Sequence, residues 1–303
     1  MAAAAASLGE RIAGTLALAE SRGYNLTLEN LSTRLLGGPA PVEELREAVL
    51  RQGGLDFDGT FVGLRGRLRT EKCARRKEAN GKWLPLALTV AQEYARDLVR
   101  LCPHVRCVML AGSAASEGFC PEDDIDLNIV VRDGTKYTSY VTAALLSLQY
   151  SLRYGRKIGS RYMPGVPKVI CINVVWEDNQ AIPFARRDGQ LAFELLNSVP
   201  LYNRDYYQRM LAANAWMSDF FPQMFAQNCH DGPGAVPEAE AGHGRPSRAI
   251  ERISRRMLFA MHGIVWGLRA TRPDLRERMV LVEKVKRPYG IFDDPHPSAE
   301  ERT

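Results

Sequence analysis

Asp124 and Asp126 open a short run, Asp124-Ile125-Asp126-Leu127, that begins after ten residues following the pair Gly112-Ser113. Extended backbone sends side chains i and i+2 to the same face, so the two carboxylates point together. Two neighbouring carboxylates repel unless positive charge lies between them. A hard divalent cation such as Mg²⁺ meets that need, because it takes oxygen ligands. Upstream, Val108-Met109-Leu110-Ala111 reads as a buried strand ending in the small-residue turn Gly112-Ser113. Glycine there allows a close backbone approach, and turn N–H groups with the Ser113 hydroxyl suit the oxygens of a triphosphate. Asp-x-Asp by itself recurs in turns and Ca²⁺ loops. The combination is narrower: a strand, Gly-Ser, a gap rich in turn formers (Glu117-Gly118, Pro121-Glu122-Asp123), then an acidic strand start leading to Ile129-Val130-Val131.

Over residues 106–131 this pattern resembles the signature of the polymerase-β-like nucleotidyltransferase superfamily. The resemblance implies an α+β chain with a small mixed β-sheet nucleotidyltransferase core. It implies Mg²⁺- or Mn²⁺-dependent transfer of a nucleoside monophosphate from an NTP to a hydroxyl acceptor, with release of pyrophosphate. By that resemblance Asp124 and Asp126 hold metal and serve catalysis, while Gly112 and Ser113 contact the nucleotide. Superfamily members often carry a third acid on a later strand. Here that strand is Val169-Ile-Cys-Ile-Asn-Val-Val-Trp, and the residue expected opposite the pair is Asn173, which cannot act as a base. Three readings stay open. Asn173 is a neutral ligand or nucleotide contact while Glu177, Asp178 or Glu194 supplies the base; or one metal works with an external or substrate base; or the site binds nucleotide without turning it over.

Residues 168–222 also resemble a group of bacterial nucleotidyltransferase-domain proteins, through Ile172-Asn-Val-Val-Trp, Leu191-Ala-Phe-Glu-Leu-Leu-Asn-Ser-Val-Pro-Leu, Ala213-Asn-Ala-Trp and Phe221-Pro. This likeness singles out Glu194, as a catalytic candidate, and Asn214. Lys136, Arg153, Arg156 and Lys157 follow the acidic strand and are candidates for the β- and γ-phosphates. As cations near helix ends they are equally at home as surface charge. Tyr162, Trp176 and Trp216 offer faces for a base, although core packing is the commoner use of such rings.

These residues need elements to position them. Amphipathic spacing over 83–101 (Leu86, Val90, Tyr94, Leu98) predicts a helix ahead of the Gly-Ser strand, and residues 137–154 predict another after the acidic strand. Strand, helix and strand then follow in the order a small mixed sheet requires. Toward the N-terminus, helices are expected at 8–21, after Thr27 as cap, and at 41–51, followed by a hairpin around Asp58-Gly59. That order resembles a winged helix-turn-helix module. Its third helix carries Glu43, Glu44 and Glu47 against Arg46 and Arg51, a poor match to a phosphate backbone, which argues against DNA binding. Helices at 190–198 and 204–221, a Gly/Pro/Ala/Glu linker at 231–246 and an apolar-faced helix at 247–268 complete the chain. The expected division is 1–68 (winged-helix-like), 69–185 (nucleotidyltransferase core) and 186–303 (a helical C-terminal part).

With 303 residues, 46% hydrophobic and 25% charged, the composition is that of an ordinary soluble protein. No apolar run approaches the roughly 20 residues of a membrane span. The alanine-rich start lacks a basic flank, so a signal peptide is not expected and the reading is cytoplasmic. Six cysteines show no paired spacing and read as buried thiols; Cys102, His104 and Cys107 match no standard zinc site. The net charge of +5 is uneven. Residues 65–77 hold seven Lys or Arg against Glu71, and residues 248–287 hold eleven against four acids. Such patches suit phosphate-rich partners. The hydroxyl acceptor can be a small molecule, a protein side chain or RNA. The rival reading is a nucleotide-sensing DNA-binding regulator with an inactive nucleotidyltransferase core.

Overall fold

The computed structural model of the chain describes residues 6–21, 24–160, 167–229 and 247–270. It is a mixed structure of helices and two small sheets, as an α+β reading requires. The linker at 231–246 and Tyr162 lie outside the described residues.

The chain begins with α1 (Leu8–Ser21), β1 (Leu26–Thr27), α2 (Leu28–Arg34), α3 (Val42–Arg51), β2 (Leu55–Phe57) and β3 (Phe61–Leu64). Thr27 caps α2 through its side chain, accepting from Asn30 N at 3.3 Å. The β2–β3 turn closes on Asp58, whose Oδ1 accepts from Thr60 N and Phe61 N at 2.9 and 2.8 Å. The three strands pair in the order β1-β3-β2.

α4 (Thr70–Leu101) is longer than the helix expected at 83–101, since it extends back through the basic stretch and passes Pro85. Then come β4 (Val105–Ala111), the one-turn α5 (Gly112–Ala115), β5 (Ile125–Val131), α6 (Lys136–Tyr154), β6 (Ile170–Glu177), α7 (Asp178–Ala181), α8 (Gly189–Asn197) and β7 (Val199–Tyr202). α9 (Arg204–Ala212), a 3₁₀ turn (Ala215–Asp219), α10 (Pro222–Cys229) and α11 (Arg248–Ala270) follow. The larger sheet runs β6-β5-β4-β7, with β5 and β6 parallel and the other neighbours antiparallel. Joining β5 to a parallel β6 requires a crossover, which α6 provides.

Alternation along the strands divides two cores. Val105, Val108, Leu110, Ile125, Leu127 and Ile129 face α4 and α6. There Tyr94 donates to Ala143 O at 2.7 Å and meets Tyr150 edge-on at 5.2 Å. Cys107, Met109, Val130, Val174 and Trp176 face the other way, into a core that also holds α1–α3 and α8–α10. The N-terminal segment and the C-terminal helices therefore share one apolar interior. Gln223 Nε2 donating to Leu35 O (2.8 Å) and Gly37 N to Phe220 O (2.7 Å) tie the same segments. Among the described residues, no helix is long and apolar enough to cross a membrane.

Asn214 belongs to this framework. Fully buried, it accepts from Phe184 N (2.8 Å) and Trp216 Nε1 (3.1 Å) and donates to Ala181 O (2.9 Å) and Met210 O (2.7 Å). Asn214→Ala strands buried backbone groups, each costing about 1–3 kcal/mol. A drop in melting temperature of about 6–12 °C is expected by calorimetry, at 2–4 °C per kcal/mol. A shift within 2 °C of zero, on the order of 1 kcal/mol or less, excludes this keystone role. Trp216 and Trp176 likewise pack, against Phe220 and Phe184.

Candidate metal and nucleotide site

β5 is an inner strand whose N-terminal end carries the paired acids. Asp126 lies opposite Ala111 of β4 and opposite Cys171 of β6. Asp124, Asp126 and Cys171 bring their ligand atoms within 4.8 Å of one another. Among the described residues, this is the one group of three His, Cys, Asp or Glu side chains so placed; Cys102 and Cys107 instead donate to Ser139 Oγ and Asn203 O.

Gly112 turns the chain out of β4 with φ +64°, a left-handed conformation that costs a side-chain-bearing residue about 1–2 kcal/mol. A Cβ at this position would overlap Asp126 Oδ2 and sit 3.0 Å from its Cγ. The glycine thus lets the turn and the carboxylate come together. Ser113 follows, and its Oγ donates to Asp123 Oδ2 at 2.9 Å. Asp123 Oδ2 also accepts from Cys120 N (3.1 Å) and Arg76 Nη2 (2.6 Å), so this acid organises the α5–β5 loop.

Lys168, two residues before β6, places Nζ 3.1 Å from Asp124 Oδ2. Burial opposes its charge, but Cys171, Asp124 and Asp126 outweigh that and hold the ammonium above the ordinary lysine range. Lys168 therefore remains protonated at neutral pH and partly balances the acids. The donor set passes a test for a divalent cation: two carboxylates converge, with no Cβ on Gly112 to obstruct them. Cys171 adds a softer donor, which suits Mn²⁺ or Zn²⁺ better than Mg²⁺.

The third position differs from expectation. Cys171, not Asn173, lies opposite Asp126; the register shifts only beyond that pair, between Leu127 and Asn128, and Asn173 falls at that irregularity. Asn173 Nδ2 donates to Asn128 Oδ1 and Glu194 Oε1, both at 2.9 Å. Glu194, 5% exposed, also accepts from Asn128 Nδ2 at 3.1 Å. Asn128, which Glu194 contacts, is two residues beyond Asp126 on the same face, one strand repeat or roughly 7 Å along β5. α8, capped by Asp188, aims Glu194 at the sheet. A crevice of 10 Å³ is lined by both Glu194 and Gly112.

Several other expected residues are not gathered here. Lys136 is buried beyond the far end of β5, with Nζ 3.4 Å from Gln180 Oε1, and five residues of strand, about 17 Å, separate Asp126 from Val131. It does not reach the carboxylate end of the sheet. Glu177 accepts from Gly134 N and Thr135 N at that same far end. Asp178 pairs with Arg106 and accepts from Tyr206 Oη. Neither acid is gathered beside the pair; of the three, Glu194 is the one on the pair's side of the sheet. Arg153 pairs with Glu93 at 3.5 Å, and Arg156 and Lys157 are exposed.

Sequence reasoning missed Cys171, Lys168 and Asp123. Comparison of the chain with protein-family models, with curated proteins and with solved structures returned no match.

Proposed function

We propose that the chain is a nucleotidyltransferase with a polymerase-β-like core, moving a nucleoside monophosphate from an NTP to a hydroxyl acceptor. The observation that carries this reading is the convergence of Asp124 and Asp126 beside a left-handed Gly112 whose missing Cβ admits the Asp126 carboxylate. In this reading Asp124 and Asp126 hold Mg²⁺ or Mn²⁺. Once bound, the ion would neutralise phosphate oxygens and orient the triphosphate. Ser113 and the turn N–H groups take phosphate oxygens. The acceptor oxygen bonds to the α-phosphorus as the bond to the bridging oxygen breaks; pyrophosphate leaves with that electron pair, and the acceptor proton passes to Glu194. Asn128 and Asn173 position Glu194, while Lys168 limits the mutual repulsion of the acids. The N-terminal element order supports a winged-helix-like module, and the acids of α3 favour partner docking over duplex contact.

The test is pyrophosphate release from each NTP with Mg²⁺ or Mn²⁺. Turnover abolished by EDTA is the expected result. Salt-sensitive duplex binding with no pyrophosphate from any NTP would favour the regulator reading.

A further inference from the structure

A cleft of 440 Å³ opens between the N-terminal module, the first turns of α4 and the loop after α5. Its cationic lining is Arg67, Arg69, Lys72, Arg76 and Lys77. Arg69, Lys72 and Arg76 follow i, i+3, i+7 spacing, which aligns them in a stripe about 10 Å long at 1.5 Å per residue. Two acids line the cleft and both are engaged: Glu20 pairs with Arg67 at 3.2 Å, and Glu117 with Arg34 at 3.5 Å. Among the described residues no ion pair involves Arg69, Lys72 or Lys77, and Arg69, Lys72 and Lys77 are exposed. The surplus is positive, and guanidinium groups match phosphate oxygens in geometry as well as charge.

The cleft communicates with the candidate site. Arg76 Nη2 donates to Gly118 O (2.7 Å) and to Asp123 Oδ2 (2.6 Å), the atom that also accepts from Ser113. The crevice bordered by Gly112 and Glu194 shares Tyr24 and Ser116 with the cleft wall. The cleft thus adjoins the turn assigned to the triphosphate without coinciding with it. A recess of this volume accepts a drug-sized ligand, the scale of roughly one or two terminal nucleotides and narrower than a duplex.

We propose that this cleft binds the terminal nucleotides of a single-stranded nucleic acid through their phosphates, presenting the end hydroxyl as the acceptor. The term acceptor rests on the nucleotidyltransferase reading; the binding itself does not. Phe61 and Tyr24 in the wall are buried, so phosphate contacts rather than base stacking supply the affinity and little sequence preference is expected.

The experiment is fluorescence anisotropy of the full chain with a labelled oligoribonucleotide of about 12 residues, in EDTA and across a salt series. Arg69→Ala/Lys72→Ala is expected to weaken binding by about tenfold or more and to lower the salt slope by about 1.4, at roughly 0.7 for each phosphate no longer neutralised. Removing two exposed arginines of α11 in Arg252→Ala/Arg256→Ala controls for net charge and is expected to leave both quantities near wild type. No binding, equal weakening by the α11 control, or equal competition from a mononucleotide or a poly-glutamate peptide overturns the proposal. Asp126→Asn is expected to bind the oligonucleotide as the wild type does. Its turnover separately decides the catalytic assignment, so failure of one idea is distinguishable from failure of the other.

Discussion

Asp126→Asn is expected to reduce incorporation of labelled NMP by about 10³-fold, the equivalent of the several kcal/mol of charge stabilisation that a correctly held divalent ion contributes. Asparagine keeps the size and one carbonyl oxygen but removes the negative charge. The remaining ligands would be Asp124, which already shares its charge with Lys168 at 3.1 Å, and the Cys171 thiol. Folding should survive, because the substitution relieves repulsion between acids rather than creating it. Circular dichroism and the melting temperature are therefore expected to match the wild type. Turnover above a tenth of wild type, with the fold intact, would remove Asp126 from the metal site.

Gly112→Ala acts on the same carboxylate from the opposite side. The new methyl group must take a left-handed φ, costing about 1–2 kcal/mol, and must push Asp126, whose Cγ and Cβ lie 3.0 and 3.1 Å from where it would sit. Stability should fall by several degrees in a thermal melt, at about 2–4 °C per kcal/mol. Activity should fall further, by about 10²-fold, the scale of a 1 Å misplacement of a reacting group. The diagnostic pattern is loss of turnover in assays well below the melting transition. An active Gly112→Ala enzyme would mean that the close approach of turn and carboxylate has no bearing on chemistry.

Those two residues were legible because local rules specify them. Period-2 alternation puts Asp124 and Asp126 on one face, and a strand ending in a small-residue turn calls for glycine. The third position was not legible, since a strand's own residues do not state its register. Cys171 and Asn173 share a face, and only the pairing of Ile125 with Ile170 determines that Cys171 is the one that meets Asp126. Lys136 misled for a different reason: it follows the acidic strand closely in sequence, yet a strand carries the chain away from its own start. Lys168 was hidden by distance along the chain. Its signal emerges only after β5 and β6 are paired in parallel, which brings the segment just before Ile170 beside the start of β5 and the Lys168 ammonium within 3.1 Å of Asp124. Helix and hairpin positions in the first 64 residues were readable from capping and turn chemistry, including Thr27 and Asp58. Their partners were not, because an amphipathic face announces that it is buried without naming what covers it.

That common interior has a mechanical corollary. Ile12, Leu31 and Val62 belong to the same packed cluster as Met109, Trp176 and Phe193. Close-packed interiors transmit displacement instead of absorbing it, so the shared cluster holds the basic recess and the acidic strand end at a set offset. A molecule gripped in the one would be measured against the other as by a ruler, and length would then discriminate among ligands that charge alone treats alike.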